Sequence, residues 1–490
     1  MNNTKRSMKP GGMRRLAFRS LAFGVCLAAG LGLLPAAARA EPPYGTAVYD
    51  AAGKPYDSQP AYLPTSFVHG SLKNPEDLFI DARDHLYIAD TGNNRILHYD
   101  DRFELRNAID YKQGDAKLNE PNGVFVANDG TVYVADTKNE RIAVFDDRGT
   151  YLRSVKRPKT ALLPDSYQFL PTKVAVDERG FMYIATRNGF QGLLLLDPDG
   201  QFEGFFGANR VPFSLTDSLK RMFFTQEQKM KELAKLPGTV SNVTIGPDQF
   251  LYTTSVSVTK GQIKKLNFDG KDLLGEKAYG NVRLKKNEQY QFTDIAVDAK
   301  GNMTAIEAQF GTIYQYNAIG ELMFSFGYKN DGFQKLGLFK FPAAIAVNSK
   351  GTLAVLDRNG NLVQLFEPTP FGELFRHAMD LYIQGEYDAS IETWQEVLHR
   401  NSKVSRAHLG LGKAYYKQGR WKEAMAEFRE AGYVQGVSDA YWQLRLIWMQ
   451  KHFTTVVIWS ALLFAVLWLG WRWKSARERR KQDVVAQTVV

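Results

Sequence analysis

The chain has 490 residues, with 62 Lys and Arg against 52 Asp and Glu and a formal net charge of +10. Seven basic residues and no acid lie in 1–40, and six basic residues with two acids lie in 472–490, which leaves residues 41–471 at a net −1. The basic excess belongs to the two ends, so no nucleic-acid partner is implied. The one cysteine, Cys26, excludes disulfides, thiol catalysis and thiolate metal sites from everything downstream of the leader.

Residues 1–40 read as a secretory signal peptide. A basic run from Lys5 to Arg19 precedes an apolar stretch from Leu21 to Leu34, and Ala38-Arg39-Ala40 supplies a small-x-small exit before Glu41. The apolar stretch is short for a membrane span. Cleavage is expected after Ala40.

Residues 41–369 are repetitive. NPEDLFIDARDHLYIADTGNNRILHYD from Asn74 aligns with EPNGVFVANDGTVYVADTKNERIAVFD from Glu120, and weaker copies begin at Leu170, Val240, Phe292 and Phe341. Each copy alternates apolar and polar residues between turn-forming clusters, as short strands do. Six such copies at a spacing of roughly 40–50 residues predict an all-β six-bladed β-propeller. The stretch 214–236 interrupts the third and fourth copies with helical composition. The sixth copy lacks an outer strand, and the N-terminal piece before Asn74 looks like an outer strand without a blade. That piece is expected to close the ring, which removes exposed edges.

The motifs DTGNNRI and DTKNERI of the first two copies resemble those of the NHL-repeat family of six-bladed propellers. The resemblance covers the propeller region; copies three to six keep the strand pattern and lose the Asp–Arg pair. It implies the fold, with Asp90 pairing with Arg95 and Asp136 with Arg141 inside their repeats. It does not fix an activity, because one fold hosts many.

From residue 370 the period becomes helical. Leu381, Tyr382, Gly385, Tyr387, Ser390 and Trp394 recur 34 residues on as Tyr415, Tyr416, Gly419, Trp421, Ala424 and Phe428, which is the tetratricopeptide period. Residues 370–450 are therefore read as a small all-α tetratricopeptide pair with a capping helix. Arg376, Asp380, His408 and Lys413 are expected as outward polar positions of a partner-binding groove. Residues 453–471, FTTVVIWSALLFAVLWLGW, carry no charge and span about 28 Å as a helix, close to a hydrocarbon core. The basic tail 472–490 follows at once and reads as cytoplasmic by the positive-inside rule, with the preceding domains extracytoplasmic.

Chemistry is sparse. No G-x-S-x-G or H-E-x-x-H motif occurs, and GLGKA at 410–414 lacks the remainder of a phosphate loop. Propeller lyases of the NHL type use histidines around a central metal, whereas His69, His85 and His98 all lie near the first copy. Aligning the copies gives two columns. Asp90, Asp136, Thr186, Ser255, Glu307 and Asp357 end the second strands. Asp77, Gly123, Lys173, Asn242, Asp294 and Ala344 enter the innermost strands. Asp77, Asn242 and Asp294 are the candidate ligand-binding residues, with oxygens suited to a Ca2+-like cation in the channel. The alternative for both columns is that Asp and Asn bond backbone donors in tight turns.

Two functions remain. The first is a non-enzymatic, single-pass membrane scaffold whose propeller binds a ligand or protein and whose helical pair binds a segment of another membrane protein, in an envelope transport or assembly complex. The second is a metal-dependent lactonase- or lyase-like enzyme using Asp77, Asn242 and Asp294.

Overall fold

The computed structural model describes residues 44–488 apart from 45, 50–54, 69, 164–166, 188, 190, 210–237, 257, 281–287, 331 and 403. The expected leader at 1–40, the expected helix at 214–236 and His69 lie outside the described residues.

Three strands come first: β1 (Thr46–Tyr49), β2 (Pro55–Ser58) and β3 (Tyr62–Val68). The first blade holds β4 (Asp77–Ile80), β5 (Leu86–Asp90), β6 (Arg95–Tyr99) and β7 (Leu105–Ile109). The second holds β8 (Pro121–Val126), β9 (Val132–Asp136), β10 (Arg141–Phe145) and β11 (Tyr151–Lys156). The third holds β12 (Pro171–Val176), β13 (Met182–Thr186), β14 (Leu193–Leu196) and β15 (Phe202–Phe206). The fourth has three described strands, β16 (Val240–Ile245), β17 (Leu251–Ser255) and β18 (Ile263–Leu266). The fifth holds β19 (Phe292–Val297), β20 (Met303–Glu307), β21 (Thr312–Tyr316) and β22 (Leu322–Phe326). A short parallel pair, β23 (Tyr328–Lys329) and β24 (Leu338–Phe339), precedes the sixth blade of β25 (Pro342–Val347), β26 (Leu353–Asp357) and β27 (Leu362–Pro368).

The blades are meanders because their turns are encoded locally. Asp100 and Asp146 open turns in which one carboxylate oxygen accepts the backbone N–H groups two and four residues on. Between turns, strands such as LYIAD, MYIAT and LAVLD are buried throughout, as expected where a blade is covered on both faces.

The N-terminal segment does two things. Strand β3 pairs antiparallel with β27, from Tyr62 opposite Pro368 to Val68 opposite Val363, and so supplies the sixth blade with its outer strand. The hairpin of β1 and β2 then joins the outer edge of the fifth blade, with Ala47 opposite Ser325. The sequence pattern points to the first role but not to the second.

Helices follow the sixth blade without a linker. Thr369 caps α1 (Pro370–Gln384), its hydroxyl accepting the Gly372 N–H at 3.0 Å, and Pro370 sits at the first helical position. Then come α2 (Tyr387–Arg400), α3 (Ser405–Lys417), α4 (Trp421–Glu430) and α5 (Val434–Thr488). Gly410 and Gly412 lie in α3 where side chains would collide: a Cβ at Gly410 would stand 2.5 Å from the Trp394 ring, and one at Gly412 would stand 2.6 Å from Phe428. Their role is close helix packing. The 55-residue α5 contains one stretch long and apolar enough to cross a membrane, within Val434–Arg479.

One hydrophobic core runs through both modules. Tyr62, Phe324, Phe326 and Phe366 of the propeller join Phe371, Phe375, Trp394 and Phe428 of the helices. Phe375 meets Phe324 at 4.6 Å between ring centres and Trp394 at 5.0 Å.

Candidate functional site

The up-and-down strand order divides the ring into two faces. The starts of the innermost strands, the turns after the second strands and the loops between blades share one face; the other turns share the opposite face.

On the first face, the second-strand column clamps the loops. Asp90 accepts the Lys73 N–H at 2.8 Å and the Arg95 Nε–H at 2.7 Å, and Arg95 donates onward to the Ser71 carbonyl. Asp136 repeats the arrangement with Asn119 N–H at 2.7 Å, Arg141 Nε–H at 2.8 Å and the Lys117 carbonyl. Glu307 and Asp357, without the arginine, accept backbone N–H groups alone. These four carboxylates thus hold the loops that enter the first, second, fifth and sixth blades against those blades.

At the axis of the same face lie Asp77, Lys173, Asn242 and Asp294, each more than nine-tenths buried. They line one mouth of a channel of ≈ 120 Å³, with Phe79 and Phe125 among the apolar lining. The Lys173 ammonium donates to Asp77 Oδ1, and the Val124 N–H donates to Asp77 Oδ2 at 2.9 Å. Asn242 donates to Asp294 Oδ1, which also accepts the Ile295 N–H at 2.8 Å, and the Ile345 N–H donates to Asp294 Oδ2 at 2.7 Å. These bonds join the first blade to the second and third, and the fifth to the fourth and sixth.

The electrostatics follow from one ammonium facing two carboxyls. Burial pushes the Asp294 carboxyl up to about 7, against the pull of Lys173. Burial also raises Asp77, with Lys173 opposing it. Burial opposes the Lys173 charge as well, but Asp77 and Asp294 outweigh it and hold the ammonium charged.

The structure therefore brings Asn242 and Asp294 together and ties Asp77 to a residue the sequence reading left unused, Lys173. Every carboxylate oxygen already has a donor from the chain. A Ca2+ ion takes roughly six to eight oxygens, so this donor set fits an ammonium supplied by the chain better than a bare divalent ion. Lys173 stands in the same column as the two aspartates, and the need to balance buried charge was the available signal for it.

The two described propeller histidines, His85 and His98, stay off the axis. His98 Nε2 lies 3.1 Å from His85 Nδ1 in the first blade and stacks on Tyr87 at 4.2 Å. Burial lowers the His98 pKa to about 4.

The expected partner-binding positions do not face outward, which corrects the sequence reading. Helices α1 and α3 lay their groove side against the opposite face of the fifth blade. Arg376 donates to the Tyr62 hydroxyl at 2.7 Å and stands over its ring. Asp380 accepts from Lys300 at 2.6 Å, and Lys413 donates to Glu321 at 2.6 Å. Arg406 adds a second cation 3.6 Å from Glu321. His408 pairs inside the helical module, with Glu427 at 2.7 Å and the Ser402 carbonyl at 3.1 Å. The groove had to be read as free because nothing in a helical repeat records what packs against it. Lys300 and Glu321 come from the two turns of the fifth blade on that face.

Comparison with known proteins agrees with the two modules. Residues 118–145 match the NHL repeat family and residues 375–432 match the tetratricopeptide repeat family. No curated protein matches the chain. Among solved structures, a streptogramin B lyase is 14% identical, with 63% of this chain and 97% of that one covered and a TM-score of 0.39. A gluconolactonase from Xanthomonas campestris is 13% identical, with 67% and 99% covered and a TM-score of 0.41. The chain thus has one stretch that matches the NHL repeat within a six-bladed β-propeller, followed by a stretch that matches the tetratricopeptide repeat and a long apolar helix.

Proposed function

We propose that the chain is a membrane-anchored scaffold that holds its propeller in a fixed attitude and presents the loop-bearing face to a partner or small ligand. The supporting observation is the shared core of propeller and helices: a module fused to the blade through Phe324, Phe375 and Trp394 works as a bracket. The groove that a tetratricopeptide pair offers to peptides is filled by the chain's own fifth blade, so binding passes to the other face of the ring. The uncharged run at 453–471 and the basic tail support a bracket held beside the outer surface of the membrane, with the C-terminus cytoplasmic. Partners are then other membrane proteins of the same envelope, and no nucleic acid is involved.

The test uses the full chain in its membranes. Protease or maleimide access should place residues 41–450 outside and 472–490 inside, and affinity capture through the tail should recover membrane proteins by way of the propeller loops. Loss of that capture on charge reversal around Glu76 and Arg358, which pair at the first face, supports the reading. Capture unaffected by any change on that face defeats it. Turnover of lactones by the purified full chain, dependent on metal and abolished by Asp294→Ala, would establish the enzymatic alternative.

A further inference from the structure

Helix α5 leaves the helical module at Ala440, the last of its residues buried in the shared core. The next turns are apolar and bare. Tyr441 is 55% exposed, Trp442 53%, Ile447 49%, Trp448 56% and Met449 49%. At about 100° per residue Tyr441, Trp442, Trp448 and Met449 fall within one arc of about 120°, and an apolar stripe of this kind on a helix is normally covered.

The bilayer cannot cover all of them. The uncharged run begins at Phe453, and the basic tail from Arg472 fixes its other end. Sliding the span outward would draw Arg445, Lys451 and His452 into hydrocarbon. From Tyr441 to His452 is about 16 Å of helix, and about 12 Å along the membrane normal at a tilt of about 40°. The headgroup layer adds only about 5–7 Å on each side of the hydrocarbon. Trp448 reaches that layer. Tyr441 and Trp442 stand above it.

Resting on the membrane-anchor reading above, we infer that residues 441–449 form a docking collar for the extramembrane end of a different membrane protein, an apolar helix carrying acidic side chains. Continuity with the span restricts the partner to proteins of the same bilayer. Charge restricts it further. Arg445 lies over the Trp442 ring at 5.6 Å, and Lys451 follows in the next turns. Two copies of this chain, parallel in one membrane, would set Arg445 against Arg445 and Lys451 against Lys451. An acidic partner pairs with both.

A photocrosslinking residue placed at Trp442, and separately at Trp459, in the full chain in its native membranes tests this. The Trp459 probe is expected to label lipid; failure there overturns the anchor reading itself. The Trp442 probe is expected to give one discrete adduct that resists carbonate extraction. Its crosslinked peptide should map to an acidic segment flanking a membrane span. Arg445→Glu should reduce its yield about tenfold, as loss of a close interfacial charge pair does. With Trp459 labelling lipid, four results at Trp442 overturn the collar: lipid adducts, an adduct of two copies of this chain, adducts with soluble proteins, or none.

Discussion

Lys173 and Lys413 each end on a buried or half-buried carboxylate, and the two pairs are built differently. At the axis, Lys173 serves two carboxyls among strands from six blades, with backbone N–H groups completing the set. At the seam, Glu321 serves two cations, Lys413 and Arg406, and the aromatic core of Phe324, Phe375 and Trp394 lies beside them. The axis is short of positive charge, and the apolar side chains beside it line a channel. The seam has its main attraction in buried rings, with the ions fixing register. An ionic cluster can thus be the joint itself or only its alignment, and the apolar surroundings decide which.

Truncating the seam's ring should show the largest effect. Phe375→Ala removes a fully buried side chain and should cost about 4 kcal/mol. In hydrogen exchange, α1 and α3 should lose protection together with β22. Protection lost in the helices alone would mean that the two modules do not share a core.

Lys173→Met at the axis should cost about 3 kcal/mol in denaturant unfolding of the full chain, because it leaves two buried carboxyls without a cation. Adding Asp77→Leu should recover most of the loss, since an apolar replacement of a buried pair is often close to neutral. No recovery would mean that the Val124 N–H, left without its acceptor, matters more than the charge.

The two clusters should also carry opposite pH signatures. Asp294 has a folded pKa of about 7 against an ordinary 3.8. The folded state therefore binds more protons across that window, and this group's contribution falls as pH rises from about 4 to 7. Asp294→Asn should flatten that limb. Burial works against the Glu321 charge, but Arg406 and Lys413 outweigh it and its pKa is lowered. Its contribution is present above the ordinary carboxylate pKa and is lost as pH falls below it. His98, lowered to about 4, contributes the opposite slope in part of this window, so the check is the difference between the two profiles: a limb between pH 5 and 7 left unchanged by Asp294→Asn would contradict the axis assignment.

Glu321→Gln should be the mildest change, about 1–2 kcal/mol, because the rings remain. It should steepen the temperature dependence of exchange in α3 without undocking it. Full undocking would make the seam ionic after all.

Much of the architecture was legible because it is periodic. Pro75 and Pro121, Asp90 and Asp136, Arg95 and Arg141 recur in register, and the loop clamps they form are local to each repeat. The helical repeat was legible for the same reason. What joins the parts was not. The contact of Lys413 with Glu321 spans 92 residues, and that of Arg376 with Tyr62 spans 314. Neither falls on a repeat, so no period announces it. The axial column could be aligned, yet Lys173 was passed over in favour of oxygen donors because alignment shows which residues converge and not which of them bond. The hairpin of β1 and β2 escaped because its partner, β22, already looked like the complete edge of a blade.

The strand that closes the ring also sets a clock. Thr65 bonds the carbonyl of Leu365, 300 residues further on. At synthesis rates of about 5–20 residues per second, β27 is made some 15–60 s after β3. Throughout that interval β3 has an unpaired edge, and for most of it the hairpin of β1 and β2 has no β22 to join. For the nascent chain, the hazard is one of waiting: anything that lengthens the delay gives the waiting strand more time to pair with a neighbour's.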